Sequence, residues 1–148
     1  MADVRVLLIS GSTRRGSGNT AALRTVQALA PDGITAAGAL LFCTPEYAGT
    51  LPGSLKNLLD WTVGGGEIYG KPIGWVNVAV GGRGTGAEEH LAMVLRYVGA
   101  VAVDGACVRV PVPREAVGPD GIITDPEIRT ALGAALSALA GAATPSVR

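Results

Sequence analysis

Short apolar runs rich in β-branched residues and leucine recur along this chain, and segments with helical periodicity lie between them. The first run covers residues 4–10 and is ended by Gly11. A continuous apolar run of this length is typical of a strand that is buried on both faces, as in a parallel sheet. Strands that alternate with helices at this spacing are joined by right-handed crossovers. The sequence therefore predicts an α/β fold with a doubly wound parallel sheet.

The predicted strands cover residues 4–10, 39–44, 73–80 and 101–110, and the predicted helices cover residues 19–30, 55–63, 87–98 and 126–139. Gly105 interrupts the fourth strand. Asp125 is the expected N-cap of the last helix, with Pro126 in its first turn. We expect residues 1–148 to form a single domain, because no internal repeat or linker divides the chain.

Charge and hydropathy exclude several classes of partner. The chain has 12 basic and 12 acidic residues, scattered along the sequence, so we expect no basic face for nucleic acid. The apolar runs are too short to span a bilayer, and the N-terminus lacks the pattern of a signal peptide. We therefore expect a cytoplasmic protein with no membrane partner. Cys43 and Cys107 lie in apolar runs and predict buried small side chains rather than a disulfide or a metal site.

The segment after the first strand has the composition of an anion-binding loop. A loop that leads into a helix N-terminus can direct several backbone N–H groups at one anion. The segment lacks both the Gly-Lys-Ser/Thr ending of an ATP-type loop and the GxGxxG spacing. It predicts a site for a terminal phosphate monoester, with an ordinary polar turn as the alternative. Its donors are Ser12, Thr13, Ser17, Asn19 and Thr20, and Arg14 or Arg15 can add charge.

Three blocks in this order resemble the NADPH-dependent FMN reductase family, which includes chromate- and quinone-reductase-like flavoproteins. The blocks are GSTRRGSGN at residues 11–19, TPEY at residues 44–47 and LPGSLKNLLDW at residues 51–61. The sequence GKP at residues 70–72, His90-Leu91 in the following helix, and Asp120-Gly121 before Asp125 also match. Together the matches extend over most of the chain.

The resemblance implies a flavodoxin-like fold with FMN at the carboxyl edge of the sheet. It implies that the FMN phosphate is bound by Ser12, Arg14, Ser17, Gly18, Asn19 and Thr20. It also implies that the isoalloxazine ring is lined by Pro45, Glu46, Tyr47 and Gly49 on one side and by Gly81, Gly82, Arg83 and Gly84 on the other. No catalytic side chain is expected, because the flavin itself carries the hydride.

The implied function is an FMN-dependent NAD(P)H oxidoreductase that works by ping-pong hydride transfer. Its small-molecule acceptor would be a quinone, a flavin, an azo compound or a metal oxyanion. The alternative is a flavin-binding electron carrier or redox sensor without enzymatic activity, or a relative that has lost FMN. The family also implies a homodimer or a higher homo-oligomer. Leu58 and Trp61 would be anchors of a dimer interface, with packing on the sheet as the alternative role of these residues.

The chain departs from the family pattern in three places. Ala48 stands where the family has asparagine, and residues 79–82 (AVGG) lack the usual Ser or Thr. Residues 31–38 replace a strand and a helix of the family, so we expect four core strands with the first at an edge. An apolar edge invites aggregation, and we expect residues 31–38 or a partner subunit to cover it.

We also predict the role or location of four individual residues. We expect Tyr47 to stack on flavin or substrate, or else to pack its loop, and we expect Glu46 to orient that loop. His90 is expected in a structural or surface role, away from the loops. Trp75 is expected in the core.

Overall fold

The computed structural model describes residues 5–12, 14–29, 37–64 and 66–143. Strands and helices alternate along the chain, as the sequence predicts. In chain order the elements are β1 (Arg5–Ser10), α1 (Gly18–Leu29), β2 (Ala37–Cys43), α2 (Gly53–Trp61), β3 (Pro72–Asn77), α3 (Thr85–Tyr97), β4 (Val101–Arg109), a short 3₁₀ helix (Arg114–Ala116) and α4 (Pro126–Ala142).

All four strands are parallel and lie in the order β1-β2-β3-β4. This confirms the expected four-stranded core, with β1 at one edge. Ser10 is in register with Cys43, and Asn77 is in register with Arg109. The carboxyl ends of the strands therefore meet along one edge of the sheet, and the segments that follow them are neighbours.

The register between β3 and β4 shifts at the predicted interruption of the fourth strand. Ile73 pairs with Ala102, but Trp75 pairs with Cys107, so β4 carries extra residues at this point. Gly105 lies in the shifted stretch with φ +80°, a conformation that glycine adopts without steric cost. The glycine thus allows the bulge that lets β4 rejoin the sheet.

Helices cover both faces of the sheet. On one face, Leu41 packs in a cluster with Leu132 and Leu139 of α4, and on the other, Phe42 packs with Leu55 and Leu91. Because Leu41 and Phe42 are adjacent and both fully buried, β2 is covered on its two faces, as expected of a central parallel strand.

The structure decides two details of the predicted elements. The Leu58 side chain is 48% exposed, since α2 buries only Leu55 and Leu59, and this excludes packing on the sheet, the alternative role for Leu58. The third strand ends at Asn77 instead of residue 80, because the Asn77 side chain accepts a hydrogen bond from Ala79 N at 3.0 Å. Trp75 is half-buried, and its Nε1 atom is buried without a hydrogen-bond partner among the described residues.

The strand β1 forms one edge of the described sheet. Leu7 is 50% exposed, and within the described ranges β1 pairs only with β2. Residues 31–36, which belong to the segment expected to cover this edge, lie outside the described residues. Cover by a partner subunit stays a prediction.

The two cysteines differ in environment. Cys43 is buried, its Sγ donates to Asn19 Oδ1 at 3.2 Å, and burial raises the pKa of its thiol well above the ordinary range. Cys107 is only half-buried, and burial raises its pKa as well.

Within the residues that the structure describes, none of the helices has both the length and the apolar composition needed to cross a membrane.

Candidate functional site

A cleft of about 320 Å³ opens at the carboxyl edge of the sheet, within the size range of small-molecule sites. It lies between the segments that follow the first three strands, which we name the β1 loop (residues 11–17, of which residue 13 is not described), the β2 loop (residues 44–52) and the β3 loop (residues 78–84). The lining residues are Ser12, Arg14, Ser17, Asn19, Thr44, Pro45, Glu46, Tyr47, Val78, Ala79, Arg83 and Gly84.

Most of the residues predicted to bind a cofactor are therefore brought together. Five of the predicted positions do not line this cleft. They are Gly18, Thr20, Gly49, Gly81 and Gly82.

The β1 loop is built around the N-terminus of α1. Ser17 is buried, and its Oγ accepts a hydrogen bond from Thr20 N at 3.1 Å, which is the geometry of a helix N-cap. Thr20 thus belongs to the capped first turn of α1 and does not line this cleft. Asn19 is buried beside β2, where its Oδ1 atom accepts from Cys43. The helix N-terminus therefore meets the cleft, with the partial positive charge that favours an anion.

The β2 loop contains a two-residue hairpin. Tyr47 and Thr50 exchange two backbone hydrogen bonds, at 3.0 and 3.1 Å. The central residues Ala48 and Gly49 have φ values of +50° and +76°, which a type I′ turn requires, and Asn-Gly is the preferred pair for such a turn. The asparagine that the family has at position 48 would therefore favour this turn conformation, in addition to making the polar contact that the sequence suggested.

Glu46 ties the β2 loop to α3. Its Oε2 atom accepts hydrogen bonds from Gly86 N at 2.7 Å and Ala87 N at 3.2 Å. A carboxylate at a helix N-terminus satisfies free N–H groups and interacts favourably with the helix dipole. This agrees with the interpretation of Glu46 as a residue that orients its loop.

His90 corrects a prediction, because it lies against the loops rather than away from them. Its Nδ1 atom is 2.6 Å from Thr50 Oγ1. The physical reason is helix geometry, since residues four apart share a face and Gly86 already contacts the β2 loop. His90 thus contacts the wall of the cleft through Thr50, and a structural role for it stays a prediction.

The β3 loop is organised by a buried residue that the sequence analysis did not single out. Asn77 Oδ1 accepts from Ala79 N, while Nδ2 donates to Arg83 O at 3.3 Å and to Glu88 Oε2 at 3.1 Å. Glu88 in turn pairs with Arg109 at 2.7 Å. Asn77 could have been identified from the sequence, because it is the polar residue within the apolar run IGWVNVAV. A buried amide must find hydrogen-bond partners.

The backbone conformation of the β3 loop explains why glycine occupies three of its positions. Gly81, Gly82 and Gly84 have φ values of +68°, +72° and +87°, which favour glycine. A Cβ atom on Gly84 would lie 2.7 Å from Asn77 Oδ1. Arg83 Nε donates to Val80 O at 3.2 Å, so this guanidinium is held at the rim.

The cleft has two chemically different ends. Ser12, Arg14 and the α1 N-terminus form a polar, positive end, and Pro45, Tyr47, Val78 and Ala79 form an apolar slot. The carboxylate of Glu46 faces the N-terminus of α3, whose N–H groups and dipole partly offset its charge. The arrangement suits a flat apolar ring that carries a phosphate.

Comparison with known proteins agrees with this geometry. The model of the NADPH-dependent FMN reductase family matches residues 31–112. An NAD(P)H-dependent FMN reductase of Pseudomonas aeruginosa is 31% identical, over 93% of this chain and 94% of that protein. That alignment spans 173 positions, more than the 148 residues here, so the relative has residues that this chain lacks. A 2-hydroxy-1,4-benzoquinone reductase of Burkholderia is 40% identical, over 48% of this chain and 41% of that protein.

Solved structures share the fold. FerB, a flavoenzyme NAD(P)H:(acceptor) oxidoreductase of Paracoccus denitrificans, superposes with a TM-score of 0.72 at 24% identity, over 93% of this chain and 96% of that chain. A flavodoxin from the domain Archaea gives 0.60 at 14% identity, over 93% and 97%. The fold is flavodoxin-like, as expected. The chain belongs to the NADPH-dependent FMN reductase family and is an oxidoreductase that works with FMN and NAD(P)H.

Proposed function

We propose that this chain holds FMN non-covalently in the cleft at the carboxyl edge and passes an electron pair from NAD(P)H to a quinone. The observation that carries the proposal is the convergence of three loops on one cleft with a positive end and an apolar slot. This is the position at which open α/β sheets bind ligands.

The residues at the positive end fit a phosphate monoester. Ser12, Arg14, Ser17 and Asn19 would surround it at the N-terminus of α1. Ser17 Oγ already accepts hydrogen bonds within the cap, so backbone N–H groups and Arg14 would supply most of the donors. Thr20 and Gly18 would contribute by shaping this helix end.

The residues at the apolar end fit a planar ring. Pro45 and Tyr47 would line one side, with Gly49 setting the turn behind them, and Arg83 and Gly84 would close the other. Tyr47 is 45% exposed, so it is available to stack on a ring. Bound FMN supplies the hydride chemistry, and the protein contributes position and electrostatics. Gly81 and Gly82 would let backbone N–H groups approach the ring edge.

Quinones are the acceptor class supported by the Burkholderia relative, whose name gives a benzoquinone as its substrate. A ping-pong order follows if NAD(P)H and the acceptor use the same exposed ring face in turn. Flavins, azo compounds and metal oxyanions stay predicted acceptors. A cytoplasmic location also stays a prediction.

The test separates flavin binding from turnover. FMN is titrated into the purified chain while flavin fluorescence is followed, and NADPH and NADH oxidation is then measured with menadione as acceptor. We expect saturable binding, and turnover with parallel double-reciprocal lines. An Arg14→Ala variant should bind FMN more weakly than the Arg129→Ala control. Binding without turnover would favour an electron carrier or sensor, and absence of binding would overturn the proposal.

We also propose a homodimer. Several large apolar side chains are exposed on the side of the sheet covered by α2 and α3, and Trp61 is the most exposed among those of α2, at 80%. Exposed apolar patches of this kind mark interaction surfaces. Light scattering after size exclusion should give a dimer for the native chain and a monomer for Trp61→Asp. A monomeric native chain would contradict this. These exposed side chains are Leu58, Trp61 and Val63 in and just after α2, Tyr69 before β3 and Tyr97 at the end of α3.

A further inference from the structure

A second cleft, of about 600 Å³, adjoins the cofactor cleft and shares Arg14 and Arg83 with it. Its charged lining consists of Arg14 and Arg15 from the β1 loop, Arg83 from the β3 loop and Arg114 from the 3₁₀ helix after β4. Val80, Val112 and Val117 provide apolar surface between these arginines. Four guanidinium groups from three separate segments thus border one cavity.

None of these arginines forms an ion pair in the part of the chain that the structure describes. The ion pairs found there join Lys56 to Asp60 and Arg109 to Glu88. The lining of the cleft includes no carboxylate among its described residues. The protein as a whole has equal numbers of basic and acidic residues, so the cleft concentrates positive charge that the composition does not reveal.

The sequence analysis treated the basic residues as scattered. Along the chain they are, since residues 14–15, 83 and 114 are far apart. The parallel topology brings the three segments together, because each follows the carboxyl end of a strand. Arginines that are scattered along the sequence therefore lie around one cleft in the folded chain.

We propose that the arginine cleft, defined by Arg14, Arg15, Arg83 and Arg114, binds the phosphate groups of a nucleotide co-substrate. This rests on the proposed function, in which the first cleft is occupied by FMN. The single phosphate of FMN has its own donors at the α1 N-terminus and in Arg14, so the guanidinium groups of Arg15, Arg83 and Arg114 exceed what it needs. A nucleotide with a diphosphate or a second phosphomonoester presents several anionic groups, and guanidinium binds such groups in bidentate geometry.

Two nucleotides share this chemistry. NADPH carries a 2′-phosphate and a diphosphate, and FMN offered as a diffusing acceptor carries a 5′-phosphate. Arg14 and Arg83 border both clefts, so either nucleotide could place its phosphates in the arginine cleft with its reactive ring beside the cofactor. The two sources are distinguished experimentally.

The main experiment measures binding rather than turnover. The redox-inactive probes 2′-phospho-ADP-ribose and ADP-ribose are titrated calorimetrically into the FMN-saturated protein at low and high KCl. We compare Arg15→Gln and Arg114→Gln, which lie outside the cofactor cleft, with Arg96→Gln on the exposed end of α3 as control. Each test variant should bind the probe about tenfold more weakly, the size expected for a lost hydrogen bond to a charged group, and the control should not change.

The arms of the experiment identify the source of the phosphate. Tighter binding of 2′-phospho-ADP-ribose than of ADP-ribose, with affinity that falls as KCl rises, assigns the cleft to NADPH. A KM for FMN as acceptor that rises in the test variants, while that for riboflavin does not, assigns it to the flavin nucleotide. Either result supports the proposal.

An unchanged probe affinity and an unchanged KM for FMN in the double variant Arg15→Gln/Arg114→Gln would overturn it. The flavin titration of the native chain is read separately. If FMN does not bind, the proposed function fails, and the same titrations without FMN still report whether Arg15 and Arg114 bind the phosphates.

Discussion

The β1 and β2 loops border the same cleft but are held in different ways. The β2 loop is fastened to α3 by Glu46 and by the contact between Thr50 and His90. Apart from the backbone bond from Gly11 N to Cys43 O, the described hydrogen bonds of the β1 loop stay within the loop, the preceding Ser10 and the first turn of α1. The comparison indicates that the wall proposed to bind the ring is positioned by a neighbouring element, while the loop proposed to bind the phosphate is held mainly by its own helix.

The largest expected effect comes from forcing the β2 loop away from α3. A Cβ atom on Gly86 would overlap the Gly49 carbonyl oxygen and lie 3.0 Å from Glu46 Oε2. Gly86→Ala should therefore lower the free energy of unfolding by about 3 kcal/mol, as overpacking does, and weaken FMN binding. Urea denaturation and flavin titration measure both effects.

Gly53→Ala is the matched control, because Gly53 is also in the first turn of a helix and has open space at its Cβ position. Equal losses in the two variants would show that the contact between the β2 loop and α3 carries no weight.

Removing the Glu46 carboxylate should have the next largest effect. Glu46→Ala leaves the Gly86 and Ala87 N–H groups without their partner, which should cost about 2 kcal/mol, the upper range for loss of a helix cap. Glu46→Gln should recover part of this, since an amide oxygen still accepts. Chemical denaturation measures the change, and Glu67→Ala, at an exposed site, is the control. If Glu46→Ala lowers the free energy of unfolding no more than Glu67→Ala does, Glu46 does not fasten the β2 loop to α3.

The contact between Thr50 and His90 should contribute less. Thr50→Val keeps the shape but loses the hydroxyl, and we expect a cost of about 1 kcal/mol, typical of one hydrogen bond. Thr130→Val is the control, because Thr130 Oγ1 bonds only to the carbonyl of Pro126 within α4 at an exposed position. Thermal unfolding of the two variants distinguishes them, and equal shifts in Tm would contradict the expectation.

The smallest expected effects concern backbone conformation, and they have opposite signs in the two loops. Ala48 has φ +50° and Gly16 has φ +65°. Ala48→Asn should stabilise the protein and Gly16→Ala should destabilise it, each by about 0.5–1 kcal/mol, since asparagine and glycine tolerate the left-handed region better than alanine does. Calorimetric unfolding measures both. The same sign in both variants would contradict the assigned turn.

Local pattern was enough to predict most of the fold. The apolar runs gave four parallel strands, and Asp125 caps α4 by accepting from Glu127 N and Ile128 N, as expected. These features depend on neighbours in sequence. The sequence leaves open whether Leu58 packs on the sheet or is exposed, because periodicity marks a helix face but not how wide a stripe the sheet covers.

The features of the candidate site also fall into two groups, those that local sequence predicts and those that depend on packing between elements. The sequence by itself determined the strand-end positions of the β1, β2 and β3 loops, because a buried parallel strand ended by glycine or proline delivers its loop to one edge. Only the tertiary structure decided that Glu46 caps α3, that His90 contacts Thr50, that Asn77 organises the β3 loop, and that four arginines border one cleft. Each of these joins residues from different elements, and distances between elements are set by packing rather than by any local preference of the chain.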